Sequence, residues 1–141
     1  MKRSIMNPNR QLIFTLFTLL TALLGSACFH LKSGDPPQNK IHQVGVVWLK
    51  QEGDTDARQK VINAVHEFGR LIPEVESAFV GASDGPSNGY TDASYDVCFT
   101  LTFADEAARQ RYNKHPVHLK AANEIFLPLS KKLVFYRFTS R

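Results

Sequence analysis

The sequence predicts an α+β domain in which a four-stranded antiparallel sheet is covered by helices on one face. Three observations carry that prediction. Four short apolar stretches, three of them alternating with period two, read as strands. Two longer stretches repeat at helical spacing, and the order along the chain is strand, helix, strand, strand, broken helix, strand.

In the first strand His42, Val44, Val46 and Trp48 alternate with Gln43, Gly45, Val47 and Leu49, and the β-branched content favours a strand ending near Lys50. From Asp56 the period changes. Val61, Val65, Phe68 and Ile72 form an apolar stripe widened by Ile62, with Lys60, Asn63 and Glu67 on the other side. Asp54, Thr55 or Asp56 supplies the N-cap and Pro73 stops the helix. Val75 to Gly81 is a short apolar second strand, and the cluster Gly85-Pro86-Ser87-Asn88-Gly89 is a surface loop. Tyr95 to Phe103 puts Val97, Phe99, Leu101 and Phe103 on one face of a third strand.

Ala104-Asp105-Glu106 begins a helix that passes through Ala108 and Tyr112. The His115-Pro116 step breaks it, because the residue before proline is driven out of the helical region while proline suits the first turn of a new helix. That second piece, with Leu119, Ala122, Ile125 and Phe126, is expected to end at Pro128. Lys132 to Phe138 closes the domain as the fourth strand. The order is the split β-α-β, ferredoxin-like arrangement. Two helical elements cover one sheet face, so the other face, with residues such as Val44 and Val46 or their alternates, needs a second partner, and a homodimer with facing sheets is expected.

The chain has 141 residues, 43% hydrophobic and 21% charged, which fits one globular domain with a short appendage and excludes disorder, collagen and a multidomain enzyme. Residues 28–141 hold 14 Lys+Arg against 13 Asp+Glu, a net of +1, so the full-length net charge of +4 comes largely from Lys2, Arg3 and Arg10. A nucleic-acid partner is therefore not expected.

Those three basic residues precede an uncharged apolar run from Leu12 to Leu24 and the small residues Gly25-Ser26-Ala27, the three-part layout of a secretory signal peptide over residues 1–27. The strongly apolar run has 13 residues, whereas a spanning helix needs about 20. Cleavage after Ala27 leaves Cys28 first, as in a lipidated bacterial lipoprotein, although Gly25 occupies the position where such signals place leucine. The expected location is the cell envelope, membrane-anchored through a lipid on Cys28. The alternatives are cleavage without lipidation and a retained anchor. Residues 28–40 form a flexible tether, polar and breaker-rich from His30 to Lys40 through Ser33-Gly34-Asp35-Pro36-Pro37-Gln38-Asn39, to a domain spanning 41–138. Cys98 is the one other cysteine, so lipidation of Cys28 leaves no disulfide, and Cys98 reads as a small buried hydrophobe.

Several stretches together resemble the stress-responsive A/B barrel (Dabb) family: Ile41-His42-Gln43-Val44 with Trp48-Leu49-Lys50, Leu71-Ile72-Pro73-Glu74-Val75 with Val80-Gly81, Tyr95-Asp96-Val97 with Phe103, and Tyr112-Asn113-Lys114-His115-Pro116-Val117-His118. Glu74 departs from the glycine usual there, a difference confined to a turn. The resemblance implies a dimeric α+β barrel. Within the family the chain is distantly similar to the plant olivetolic acid cyclase, a cofactor-free polyketide cyclase. The positions matching Tyr112 and His118 are implicated there in acid/base catalysis, those matching His42 and His115 lie in or near the pocket, and a further pocket histidine corresponds to Val97.

His118 is thus the candidate base and Tyr112 the candidate donor for a proton next to a carbonyl, and the kink at Pro116 is expected to turn Tyr112, His115 and His118 toward one cavity. His42, His115 and Trp48 are the expected ligand contacts. Each has a structural alternative: Tyr112 as an amphipathic core residue, His115 as a cap, His118 bonded to a backbone carbonyl across the kink. The His-x-x-His spacing across a helix break does not match a zinc helix, and no phosphate-binding loop, dinucleotide fingerprint or serine-hydrolase elbow occurs, so neither metal nor cofactor is expected. The expected function is binding of a small apolar or aromatic compound in a stress-related role. The alternative is a cofactor-free acid/base enzyme, cyclase- or isomerase-like, acting on a carbonyl compound.

Overall fold

The computed structural model describes residues 39–141; the leader, Cys28 and the tether up to residue 38 lie outside the described residues. Four strands, β1 (Ile41–Leu49), β2 (Ser77–Ala82), β3 (Val97–Phe103) and β4 (Ser130–Thr139), form one antiparallel sheet in the order β2-β3-β1-β4. Helix α1 (Thr55–Leu71) connects β1 to β2. Helix α2 (Glu106–Lys114) and α3 (Pro116–Ala121) follow β3, and a π-helical turn (Ala122–Phe126) and a final short turn (Leu127–Leu129) lead into β4.

Helix α1 starts where Asp54 accepts a hydrogen bond from the Ala57 N–H at 2.9 Å, and it buries Ala57, Val61, Ala64, Val65 and Phe68 against the sheet. Asp54→Ala removes the acceptor for an otherwise orphaned N–H and is expected to cost about 1 kcal/mol, read as a lower urea midpoint. From the sheet, Val47, Leu49, Val97, Phe99, Leu101 and Phe103 close the core.

The strand boundaries differ from expectation for local reasons. The Val75 N–H closes a turn onto the Ile72 carbonyl, so the ladder of β2 begins at Ser77 instead of Val75. Asp96 carries its carboxylate to the Leu49 N–H, and β3 begins after it. Strand β4 begins two residues early, at Ser130, with an irregular register beside Trp48 and Leu49, and it runs on to Thr139. Pro128 does not end the helix. The chain widens into the π turn, where the Leu127 N–H reaches the Ala122 carbonyl, and Pro128 sits in the first part of the last turn, where its missing N–H costs nothing.

The faces of β1 separate cleanly. Gln43, Gly45, Val47 and Leu49 lie under the helices, while His42, Val44, Val46 and Trp48 face the open side. That side also carries Phe79, Tyr136 and Phe138, which are 71%, 60% and 57% exposed. Cys98 shares that side and is half-buried, so it is not the buried core residue expected; the burial it does have pushes its thiol up from the ordinary value.

Candidate functional site

The kink between α2 and α3 builds the site. Asp105 caps α2 by accepting from the Ala108 N–H at 2.7 Å, and the helix carries Tyr112 into the core. His115 is extended, as the residue before proline must be, and Pro116 opens α3. One helical turn later His118 returns over Tyr112, with ring centroids 4.4 Å apart.

A cavity of about 220 Å³ lies between the sheet and these helices. Phe68 of α1 and Phe99 of β3 line it with Tyr112 and His118. Ala122, Phe126 and Leu127 enter from the widened turn, and Leu133 and Phe135 from β4. None of these side chains carries a formal charge at neutral pH. The π turn therefore does more than accommodate Pro128: three of its residues, or their immediate neighbours, form a wall.

Hydrogen-bond chemistry assigns the proton on His118. Its Nδ1 lies 3.2 Å from the Asn113 carbonyl, which only accepts, so Nδ1 donates and Nε2 keeps its lone pair. Burial lowers the His118 pKa below its ordinary 6.5; the bond to Asn113 opposes that shift and repulsion from His115 adds to it. Burial raises the Tyr112 hydroxyl well above the usual phenol range, which keeps it protonated as a donor. Among the described residues the hydroxyl has no hydrogen-bond partner.

The sign for stability follows. Unfolding frees His118 to bind a proton at its ordinary pKa, so its neutral, buried form supports the fold fully above pH 6.5, and that support is lost as the pH falls through the lowered value. The melting temperature is expected to drop with acidification in this window. His118→Gln should flatten the dependence, and an unchanged slope in that variant would show that another group titrates.

The other expected contacts lie elsewhere. His115 does not line the cavity: its Nδ1 accepts from the Val117 N–H at 3.3 Å and caps α3, while its own N–H closes α2 on the Tyr112 carbonyl. His42 is on the open face of the sheet, 3.1 Å from the Thr102 hydroxyl and stacked on Phe138 at 4.8 Å. Trp48 is on that same face, bonded to the Ser94 hydroxyl and covered by the Lys132 ammonium. Strand parity separates both from the cavity. Asp96 is occupied by Arg58 and the Leu49 N–H, and among the described residues no group of three or more His, Cys, Asp or Glu stands together as a metal site. Phe68, Phe99, Phe126 and Phe135 were not expected as cavity walls. The signal for Phe99 and Phe135 is the register, since Gly45 pairs with Phe99 on one side and Phe135 on the other.

None of the curated proteins matches the chain. Among solved structures, a Dabb family protein with a ferredoxin-like fold from Mesorhizobium loti is similar at 22% identity and a TM-score of 0.61, over 74% of this chain and 99% of that one. The hydroxynitrile lyase of Passiflora edulis is 19% identical, with a TM-score of 0.64 over 75% of this chain and 96% of its own. A dimeric ferredoxin-like protein of unknown function from Thermobifida fusca is 23% identical, with a TM-score of 0.59 over 78% and 99%. At these identities the likeness speaks to the fold. The family model of the stress-responsive A/B barrel domain matches residues 41–140, the whole of the sheet and its helices, and the chain belongs to the Dabb family.

Proposed function

We propose that the protein is a homodimeric binding module that holds a small apolar or aromatic compound in the cavity between sheet and helices, in a stress-related role. The observation that carries the reading is an aromatic-walled space of about 220 Å³ with one polar pair, Tyr112 and His118, at its side. Apolar walls supply affinity and the pair orients a single polar atom. A ligand screen followed by turnover assays on every hit is the test. Saturable binding without product supports the module; the absence of any ligand would overturn it.

The second reading is a cofactor-free acid/base enzyme acting on a carbonyl compound. It is favoured by a neutral His118 with a free Nε2 lone pair beside an unpartnered phenol, and by the resemblance in fold to a hydroxynitrile lyase. In such chemistry Nε2 takes the proton and the Tyr112 hydroxyl donates to the oxygen on which charge develops. Turnover lost in both His118→Ala and Tyr112→Phe, each still folded, selects this reading, with each loss expected at about 10²-fold or more.

The dimer is supported by the exposed aromatic residues Phe79, Tyr136 and Phe138 on the open sheet face and by the dimeric state of the relative from Thermobifida fusca. Light scattering should report twice the monomer mass, and a stable monomer at micromolar concentration would contradict it. Export and lipid anchoring through Cys28 are supported by the basic, apolar and small-residue sequence ahead of it. Mass spectrometry of the mature N-terminus from a bacterial host is the test; a retained Met1 would sink both.

A further inference from the structure

We propose that Gly45 and Phe99 together set the depth of the cavity and limit its occupant to a neutral compound with a single aromatic ring. The proposal rests on the reading of the cavity as a binding site. Gly45 lies in β1 with Phe99 of β3 paired on one side and Phe135 of β4 on the other, so the two rings meet over a residue without a side chain. They stand edge to face, with centroids 6.2 Å apart. The end of the Phe99 ring lies on the glycine itself. A Cβ at position 45 would come within 2.2 Å of Cζ, 2.5 Å of Cε1 and 2.8 Å of Cε2.

No two non-bonded carbons approach so closely, so any larger residue at 45 displaces the ring. Phe126 and Phe135 hold it on two sides, at 5.9 and 6.2 Å between centroids, and the empty space beside it is the cavity. A methyl group at 45 therefore drives Phe99 into the space that a ligand needs. Conversely, the ring as it lies is the floor: trimming it joins the cavity to the notch above Gly45. The size limit follows from volume, since a dry apolar cavity of about 150 Å³ holds benzene, and about 220 Å³ leaves room for one ring with a short substituent. Neutrality follows from the walls, which carry no charge to offset the desolvation of an ion.

Two neutral ketones serve as probes, acetophenone with one ring and 2-acetonaphthone with two fused rings, each titrated calorimetrically into the protein and into Gly45→Ala, Phe99→Val and the double variant. The unsubstituted protein is expected to take acetophenone and refuse 2-acetonaphthone. Gly45→Ala should weaken acetophenone binding about tenfold or more, and Phe99→Val should improve 2-acetonaphthone binding by a similar factor. A second measurement needs no ligand. Gly45→Ala should lower the folding equilibrium constant about tenfold or more with Phe99 present and have little effect with Val at 99, because the clash is gone. Equal destabilisation in both backgrounds, or unchanged ketone selectivity in Phe99→Val, would overturn the proposal. If the two positions are coupled in stability but neither ketone binds any of the four proteins, the ring-size limit is overturned, while the binding reading itself falls only if the ligand screen also finds nothing.

Discussion

Replacing Phe68 by alanine is expected to lower the stability of the fold by about 3–5 kcal/mol, the range for emptying a buried aromatic site. The ring is 1% exposed and stands where four elements meet. Its centroid is 5.6 Å from Tyr112 of α2, 5.8 Å from His118 of α3 and 5.9 Å from Phe126 of the π turn, and its own helix packs on the sheet. Such a site collapses poorly, because the neighbouring rings are fixed by one another and the cavity already lies beside them. The void would merge with that cavity instead of closing. Urea unfolding of Phe68→Ala beside Tyr90→Ala measures the effect, the latter changing a fully exposed loop residue and expected to stay within about 0.5 kcal/mol. A loss below about 1 kcal/mol for Phe68→Ala would mean that the four elements are not held through this ring.

The second large effect belongs to Asp96, a buried carboxylate at the end of the sheet. Its Oδ2 accepts from the Leu49 N–H at 2.8 Å, and its Oδ1 faces the Arg58 guanidinium at 3.4 Å. Arg58 Nε is buried with no partner of its own, so the guanidinium has little else to lean on. Asp96→Ala leaves a strand-end N–H and part of a cation unsatisfied, and is expected to cost about 3 kcal/mol. Asp96→Asn keeps the shape and an acceptor for Leu49, and should recover about half of that loss. Equal losses in the two variants would assign the whole effect to charge.

Much of this architecture was legible in the residues. The alternation from Val97 to Phe103 identifies the buried face of β3 because every second side chain is large and apolar. Asp54 and Asp105 mark their helices through a carboxylate three residues ahead of an N–H that needs an acceptor. The first strand was harder to read. Its helix-facing side carries Gln43 and Gly45, and its open side carries Val44, Val46 and Trp48, so hydrophobicity alone points the wrong way. The missing bulk at Gly45 is supplied from β3 by Phe99, which only the register reveals.

The candidate site shows the same division. The pairing of Tyr112 with His118 was anticipated from the resemblance and from the kink at Pro116, and the rings do meet. The kink does not turn His115 inward, since its side chain is used as the cap that the new helix requires. His42 and Trp48 are set apart by one bit of information, the parity of their positions in β1. The wall formed by Ala122, Phe126 and Leu127 was hidden because Pro128 reads as a stop, whereas a widened turn lets the helix continue through it.

The pairing of β1 with β4 has a consequence for how the molecule is made. Strand β1 is synthesised first, yet it lies in the interior of the sheet, and its neighbour on one side is the strand synthesised last, from Ile41 opposite Thr139 to Leu49 opposite Ser130. The ladder continues outward through bonds between Asn39, Lys40 and Ser140. A ribosome can therefore release the helices and the first three strands without completing the sheet, because one whole row of β1 amides and carbonyls waits for the final ten-residue strand. Contacts of such long sequence separation slow folding relative to a domain built from local contacts. The sheet is completed only when β4 adds to β1, and loss of that edge strand would turn β1 from an interior strand into an unpaired edge.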